Sequence, residues 1–327
     1  MAILVLPDRS LLRWLLIAPI LVGAIAARAA DADSVSVKLV PIKVSAHAYY
    51  VQGEPGVASS ANEGFNSNAG FVVTGEGVVV IDALGTPALG KALIKAIRTV
   101  TEKPIKRVII THYHADHFYG LQAFKEIGTD VWAHRDGREY LEGGEGQRRL
   151  EQRRQDLFPW VDDSTRLVPA DRWLGEDTVF TLGGLHFEII HMGPAHSPDD
   201  SVIVVREDQV IFSGDIIFSG RIPFVGEADS KRWLITMDRF LQMNPKIMVT
   251  GHGKVSTDPG KDLQLTKGYL IYLRQVMGKA VEEFVPFEEA YKKTDWSRFE
   301  KVPAFEAANR INAYGTYLLM EKESLHK

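Results

Sequence analysis

The chain has 327 residues, 45% hydrophobic and 24% charged, with no cysteine. These are the proportions of an ordinary globular protein; they exclude a disulfide framework, and no low-complexity tract or short repeat breaks the pattern. A formal net charge of −4 offers no general attraction for nucleic acid, which favours a basic face.

The first element is a leader. Arg9 and Arg13 precede the apolar run Trp14 to Ala26, and Ala27-Arg28-Ala29 puts small residues at both positions a signal peptidase requires. The pattern predicts a secretory signal peptide over 1–29, cleaved after Ala29, since the run is short for a membrane span. The expected location is therefore periplasmic or secreted, with no membrane partner once the signal is gone. A disulfide-free exported protein suits a bacterial periplasm. Losing Asp8, Arg9, Arg13 and Arg28 takes the formal charge from −4 to −6. Residues 30–327 are long enough for a substantial core and are expected to form a single domain ending in helices.

Residues 37–43, 48–52, 70–74 and 77–82 read as early strands, with turns at Gly53, Gly70 and Gly75. Thr86 to Thr101 has helical spacing (Leu89, Leu93, Ile94, Ile97), starting at Thr86-Pro87, where proline suits the first turn. A strand over 105–111 leads into a polar loop, His117 to Ile127 returns as a helix, and 131–134 is a short strand. Gly146 to Asp156 reads as a strongly charged helix. Strands follow at 167–170, 177–181, 185–191, 201–206 and 209–213, then a helix near 229–242, a strand at 246–250 and a long helix near 261–282. This order indicates a layered α/β protein.

The polar loop carries the chemistry. Thr111-His112-Tyr113-His114-Ala115-Asp116-His117 follows the apolar Val108-Ile109-Ile110, and neutral imidazole and carboxylate are the ligands that Zn²⁺ prefers. If the loop stays extended, His112, His114 and Asp116 share one side, with His117 and Tyr113 pointing away. One short segment would then serve two metals. Further ligands are needed, and His196 (in Gly193-Pro194-Ala195-His196-Ser197), Asp215 (in Ser213-Gly214-Asp215) and His252 (in Gly251-His252-Gly253) each come shortly after the end of an expected strand. Strand ends converge on one edge of a sheet, where sites concentrate.

The ordered set HxHxDH, GxxHS, SGD and GHG, from about Asn68 to His252, resembles the metallo-β-lactamase superfamily. The resemblance implies a four-layer αββα sandwich and two Zn²⁺ ions, with iron or manganese also compatible with the donor set. By position, His112, His114 and His196 resemble the first zinc site; Asp116, His117 and His252 resemble the second. Asp215 resembles the carboxylate that bridges both metals in the glyoxalase II-like branch, and Asp82 a carboxylate that supports a ligand histidine from behind. The absence of Cys removes the subclasses with a thiolate ligand. Asn309-Arg310-Ile311 and Ala313-Tyr314 are similar to the quinoprotein-associated zinc metallohydrolases.

The implied reaction is hydrolysis of an ester, thioester or amide carbonyl, a β-lactam among them, in a small-molecule substrate. A hydroxide shared by two ions would attack, oriented by Asp116 as the catalytic residue. No GxSxG elbow offers a serine alternative. Two other readings stay open: a mononuclear iron persulfide dioxygenase, and a non-catalytic metal-binding module. His134 and His191 are expected to be structural histidines or pocket wall. Residues 142–173, with Arg148, Arg149, Arg153 and Arg154, are either a solvated charged helix or a flap offering cations to an anionic substrate. Ser219, Arg221 and Phe224 are a possible pocket wall; Asn309, Arg310 and Tyr314 are expected to pack in a helix.

Overall fold

The computed structural model describes residues 34–226 and 228–325; the expected signal peptide lies outside them. Two sheets are built from strands whose side chains alternate between separate cores. The first has seven strands in chain order: β1 (Ile42–Lys43), β2 (Ala48–Val51), β3 (Ala69–Val73), β4 (Val78–Ile81), β5 (Ile105–Ile109), β6 (Asp130–His134) and β7 (Arg172–Leu174). Its first four strands pair antiparallel and the last four parallel. The second sheet runs β12 (Ile247–His252), β11 (Val210–Phe218), β10 (Ser201–Val205), β9 (Leu185–His191), β8 (Thr178–Leu182). It is antiparallel except where β11 meets β12.

Alternation along the strands divides the interior into layers. Along β4, Val79 and Ile81 face a core shared with Phe187, Ile203, Val205 and Phe212 of the second sheet, which glues the sheets together. Val78 and Val80 face the other way, against Leu89, Leu93 and Ile97 of α1 (Pro87–Arg98) and against Leu150 of α5 (Glu145–Asp156). On the far side, Val202 and Ile211 pack on Trp233 and Met237 of α6 (Ser230–Gln242) and on Leu270 and Leu273 of α7 (Pro259–Glu282). Helices α8 (Phe287–Lys293) and α9 (Phe305–Ser324) complete that layer. The result is helix, sheet, sheet, helix: the four-layer α/β sandwich expected. Among the described residues no helix is long and apolar enough to cross a membrane.

Several boundaries differ from the sequence reading. Thr86 does cap α1, accepting from the Leu89 N–H. The helix expected over His117 to Ile127 is two pieces, α2 (Ala115–Phe118) and α3 (Leu121–Glu126). Gly120 separates them, pressed so tightly that a Cβ would meet the Ala83 carbonyl oxygen at 1.9 Å. Tertiary contact overrides helical spacing there. No strand forms at 167–170, and β7 begins at Arg172. The helix at 146–156 starts one residue earlier, as α5, preceded by α4 (Gly137–Glu142).

Candidate metal centre

All seven proposed ligands lie along one edge of the sandwich. The extended reading of the loop after β5 holds only as far as His114, whose φ of −100° and ψ of 146° are still β-like. From Ala115 the chain turns into α2, so Asp116 and His117 come from the first turn of a helix, not from an alternating strand. His117 therefore points into the cluster, where it shares Asp215 with His112 but faces the other carboxylate oxygen. Tyr113 points away, its ring in the core and its hydroxyl donating to the Val168 carbonyl at 3.3 Å. Two ligands sit inside strands where a following loop was expected. Asp215 lies within β11, which crosses a register shift near Gly214 and continues to Phe218; His252 is the last residue of β12. The shift is the kind of irregularity that re-aims a side chain. Gly251 of β12 makes room, since a Cβ there would stand 2.0 Å from Asp215 Oδ1.

The side chains fall into overlapping groups. His112, His114 and His196 offer ligand atoms within 4.8 Å of one another, as do Asp116, His117 and His252. Asp215 lies between them: Oδ2 is 3.5 Å from His196 Nε2, 4.0 Å from His112 Nε2 and 3.2 Å from His252 Nε2, while Oδ1 is 3.3 Å from His117 Nε2. His252 Nε2 is also 3.4 Å from Asp116 Oδ2.

Does this donor set fit divalent cations? Nitrogen and oxygen ligands of one tetrahedral zinc sit about 3.3 Å apart at bond lengths of about 2.0–2.1 Å, close to most of these separations. His112 Nε2, His117 Nε2 and Asp215 Oδ1 are buried with no hydrogen-bond partner among the described residues, and buried polar atoms are rarely left that way. Three inward-facing orphans in one cluster fit cations. His114 Nδ1 and His196 Nε2 approach to 2.8 Å, a hydrogen bond that shared ligation would replace.

Charge is arranged to match. Burial, then the neighbouring imidazoles, depresses His112 well below the ordinary histidine value, and burial and His196 push His114 down to about 3. Burial also lowers His196. These rings are thus neutral, the form that ligates. Burial opposes ionisation of Asp215 and Asp116, but His252 and His117 outweigh it and hold both below the usual carboxylate range. His117 is the exception: burial would lower it, yet Asp215, Asp82 and Asp116 raise it well above normal. Positive charge, proton or metal, is favoured at that position.

The supporting shell orients the rings. Asp82 accepts from His117 Nδ1 at 2.9 Å and is itself fixed by the Thr111 N–H and hydroxyl, at 2.8 and 2.9 Å. His252 Nδ1 donates to the Asn66 carbonyl at 2.7 Å, leaving Nε2 to face the carboxylates. Sequence reasoning missed Asn66 and Ser67: the Asn66 amide donates to Asp116 Oδ2 at 3.0 Å and the Ser67 hydroxyl to the Asp116 carbonyl at 2.5 Å. Their only signal was a polar turn, Asn66-Ser67-Asn68, between two strands. Tyr140, also missed, sets its ring 6.1 Å from His114.

Of the other residues singled out, Arg221 is buried with Nη1 3.1 Å from His252 Nδ1, and the Ser219 N–H donates to the His252 carbonyl. Asn309 bonds Tyr269 and Tyr291, Arg310 pairs with Glu288, and Tyr314 packs on Phe287, so α9 serves packing. His134 and His191 stack on each other outside the centre, 3.6 Å between ring centroids.

The sequence profile described as Metallo-beta-lactamase superfamily matches residues 62–252. The chain is 22% identical over 240 residues to a linear primary-alkylsulfatase of Pseudomonas sp. (strain ATCC 19151), covering 61% of this chain and 44% of that protein. It is 26% identical over 201 residues to a metallo-beta-lactamase type 2 of Bacillus sp. (strain 170), covering 59% and 69%. The match thus spans less than half of the alkylsulfatase's length. Among solved structures, a metallo-beta-lactamase from Pontibacter korlensis superposes with a TM-score of 0.57 at 21% identity, over 72% of this chain and 99% of that one. An inverting sec-alkylsulfatase from Pseudomonas sp. gives 0.64 at 17% identity, over 86% of this chain and 50% of that one. Every residue of the His/Asp cluster lies within the matched span, and on that match the chain belongs to the metallo-β-lactamase superfamily.

Proposed function

We propose that this protein is a binuclear zinc hydrolase that cleaves an ester, thioester or amide carbonyl, β-lactams included. The observation that carries the reading is Asp215, whose two oxygens face different histidines of two ligand groups. His112, His114 and His196 would hold one ion and Asp116, His117 and His252 the other, with Asp215 serving both. Two such ions, when bound, lower the pKa of a shared water toward neutrality and stabilise developing oxyanion charge.

The chain's own groups do the rest. Asp82 and the Asn66 carbonyl fix the ring orientations of His117 and His252, as outer partners of metal ligands commonly do. The Asn66 amide and Ser67 pin Asp116, which is held ionised and accepts a hydrogen bond from the attacking water. That water is oriented toward the carbonyl without a side-chain nucleophile. A sulfate monoester is the second substrate class, favoured by the similarity to the alkylsulfatase. Export to the periplasm, after cleavage at Ala29, belongs to the same proposal; N-terminal sequencing of the exported protein should begin at Ala30.

The test is metal analysis followed by a panel of esters, thioesters, lactones, β-lactams and sulfate esters on one preparation. Zinc-dependent turnover of one class supports the reading. One iron per chain with oxygen uptake would replace it with the persulfide dioxygenase, and full metallation with no turnover would favour the binding module.

A further inference from the structure

The first ligand group is assembled from two loops. His112 and His114 lie in the loop after β5, and His196 lies in the loop between β9 and β10. Ligands on separate loops share an ion only if the loops keep their spacing to within about 0.5 Å. One main-chain hydrogen bond joins these two, from the Ser201 N–H to the Thr111 carbonyl at 2.9 Å. The buried carboxylate of Asp199 joins them a second time. Its Oδ2 accepts from the Tyr113 N–H at 2.8 Å and its Oδ1 from the Ser197 hydroxyl at 2.6 Å. Tyr113 separates His112 from His114, and Ser197 follows His196. Each oxygen therefore grips the chain next to a ligand.

Burying a carboxylate whose partners are an amide and a hydroxyl is unfavourable. What it supplies is two acceptors at a fixed separation in one planar group. The adjacent Asp200 is also buried, but its oxygens take the Ser197 N–H at 2.8 Å and the Ser197 hydroxyl at 3.3 Å, both inside the His196 loop. Of the two, Asp199 is the one whose side chain reaches the other loop. Gly137, the first residue of α4, closes over that bridge. A Cβ there would stand 2.5 Å from Asp199 Oδ2 and 2.6 Å from Tyr113 Cδ2. The bridge is thus packed as well as hydrogen-bonded, and the two loops it joins bring His114 Nδ1 to 2.8 Å from His196 Nε2.

We propose that Asp199 is a positioning residue for the first metal position: its carboxylate sets the separation between the His112–His114 loop and His196, and with it the affinity and geometry of the ion they would share. It touches neither ion nor substrate. The role rests on the metal-centre reading and on no particular reaction.

The experiment compares wild type with Asp199→Ala, Asp199→Asn, Ser197→Ala and Asp208→Ala at neutral pH. Asp208 is the control, a carboxylate bonded in the same manner to the Ser45 hydroxyl and the His47 N–H, beyond the opposite end of β10. Chelator competition reads the two successive zinc affinities, and the visible bands of the cobalt(II)-loaded protein read ligand geometry. Asp199→Ala leaves the Tyr113 N–H buried without its acceptor. It should weaken one zinc step by about 10–100-fold, leave the other within about threefold, and shift the cobalt bands. Asp199→Asn can keep both bonds, its carbonyl on Tyr113 and its amide donating to the Ser197 oxygen, and should stay within about threefold at both steps. Ser197→Ala removes one bond from the opposite side and should lose about two- to tenfold at the same step; it decides the matter if Asp199→Ala does not fold. Wild-type affinities and bands in Asp199→Ala, or in Ser197→Ala where that variant decides, would overturn the role. So would a loss in Asp199→Asn as large as in Ala, or an equal loss in Asp208→Ala. Wild type that binds no divalent ion would remove the metal-centre reading and this role with it. Loss of zinc affinity in Asp199→Ala, in a protein that turns over no ester, would keep the role and remove the hydrolase reading.

Discussion

Two clusters of imidazole and carboxylate in this protein each bring three or more donor atoms within 4.8 Å, and they are built differently. In the cluster of His134, Asp136 and His191 the rings lie flat on each other, 7° from parallel, so their lone pairs run side by side. One nitrogen of each ring is occupied: His191 Nε2 donates to the Pro198 carbonyl at 2.9 Å, and His134 Nδ1 accepts from the Asp136 N–H at 3.3 Å. In the cluster around Asp215, His112 meets His114 and His196 edge to face, at 82° and 84°. There the nitrogens converge, and several have no hydrogen-bond partner among the described residues. Nearness of donors is common to both; convergence of buried, unsatisfied donors belongs to one.

The largest effect should come from breaking the convergent cluster. His114→Ala or Asp116→Ala is expected to cut kcat/KM by at least about 10³-fold, the scale of a lost metal-activated nucleophile. Bound zinc should fall while the far-UV circular dichroism stays native; near-wild-type turnover in either variant would count against the centre. Asp215→Ala should empty the second position first, leaving about one ion per chain in mass-spectrometric metal analysis. Behind the ligands, Asp82→Ala should weaken metal binding by about 10–100-fold, read by chelator competition.

A smaller effect concerns the loop that carries His196. Asp199 accepts from the Tyr113 N–H and the Ser197 hydroxyl, and burial raises its carboxyl to about 6 from 3.8. A raised folded-state value favours the fold fully below pH 3.8 and loses that contribution as pH climbs through 6. Relative to Asp199→Asn, wild type should therefore lose up to about 3 kcal/mol of stability between pH 4 and pH 7. Chemical denaturation at several pH values checks the sign, and a wild type that gains stability relative to the variant as pH rises would refute it. Smallest of all, replacing His134 and His191 by Ala together should leave zinc content at the wild-type level; loss of an ion would erase the contrast between the clusters.

What was legible in the sequence follows from range. The seven polar residues announce themselves because short motifs concentrate them beside glycine and apolar runs. The layered α/β order is legible because the strand and helix periods are local. Asp215 was expected just past the end of a strand at 209–213, whereas β11 absorbs the irregularity at Gly214 and runs on to Phe218. Gly120 broke an apparently continuous helix through contact with Ala83, a residue on another element. Asn66 and Ser67 escaped notice since their partner Asp116 lies about fifty positions away. Arg153 and Arg154 are neighbours of identical type, and only tertiary contacts mark Arg154 as the one tied to the Asp162 and Thr165 carbonyls.

The most direct test of the central claim is the zinc content of wild type and of His252→Ala, measured with turnover on the same samples. The account predicts two ions per chain in wild type, activity that rises with occupancy, and loss of an ion together with activity in the variant. Stoichiometric metal that survives removal of His252, with activity independent of zinc, would contradict it.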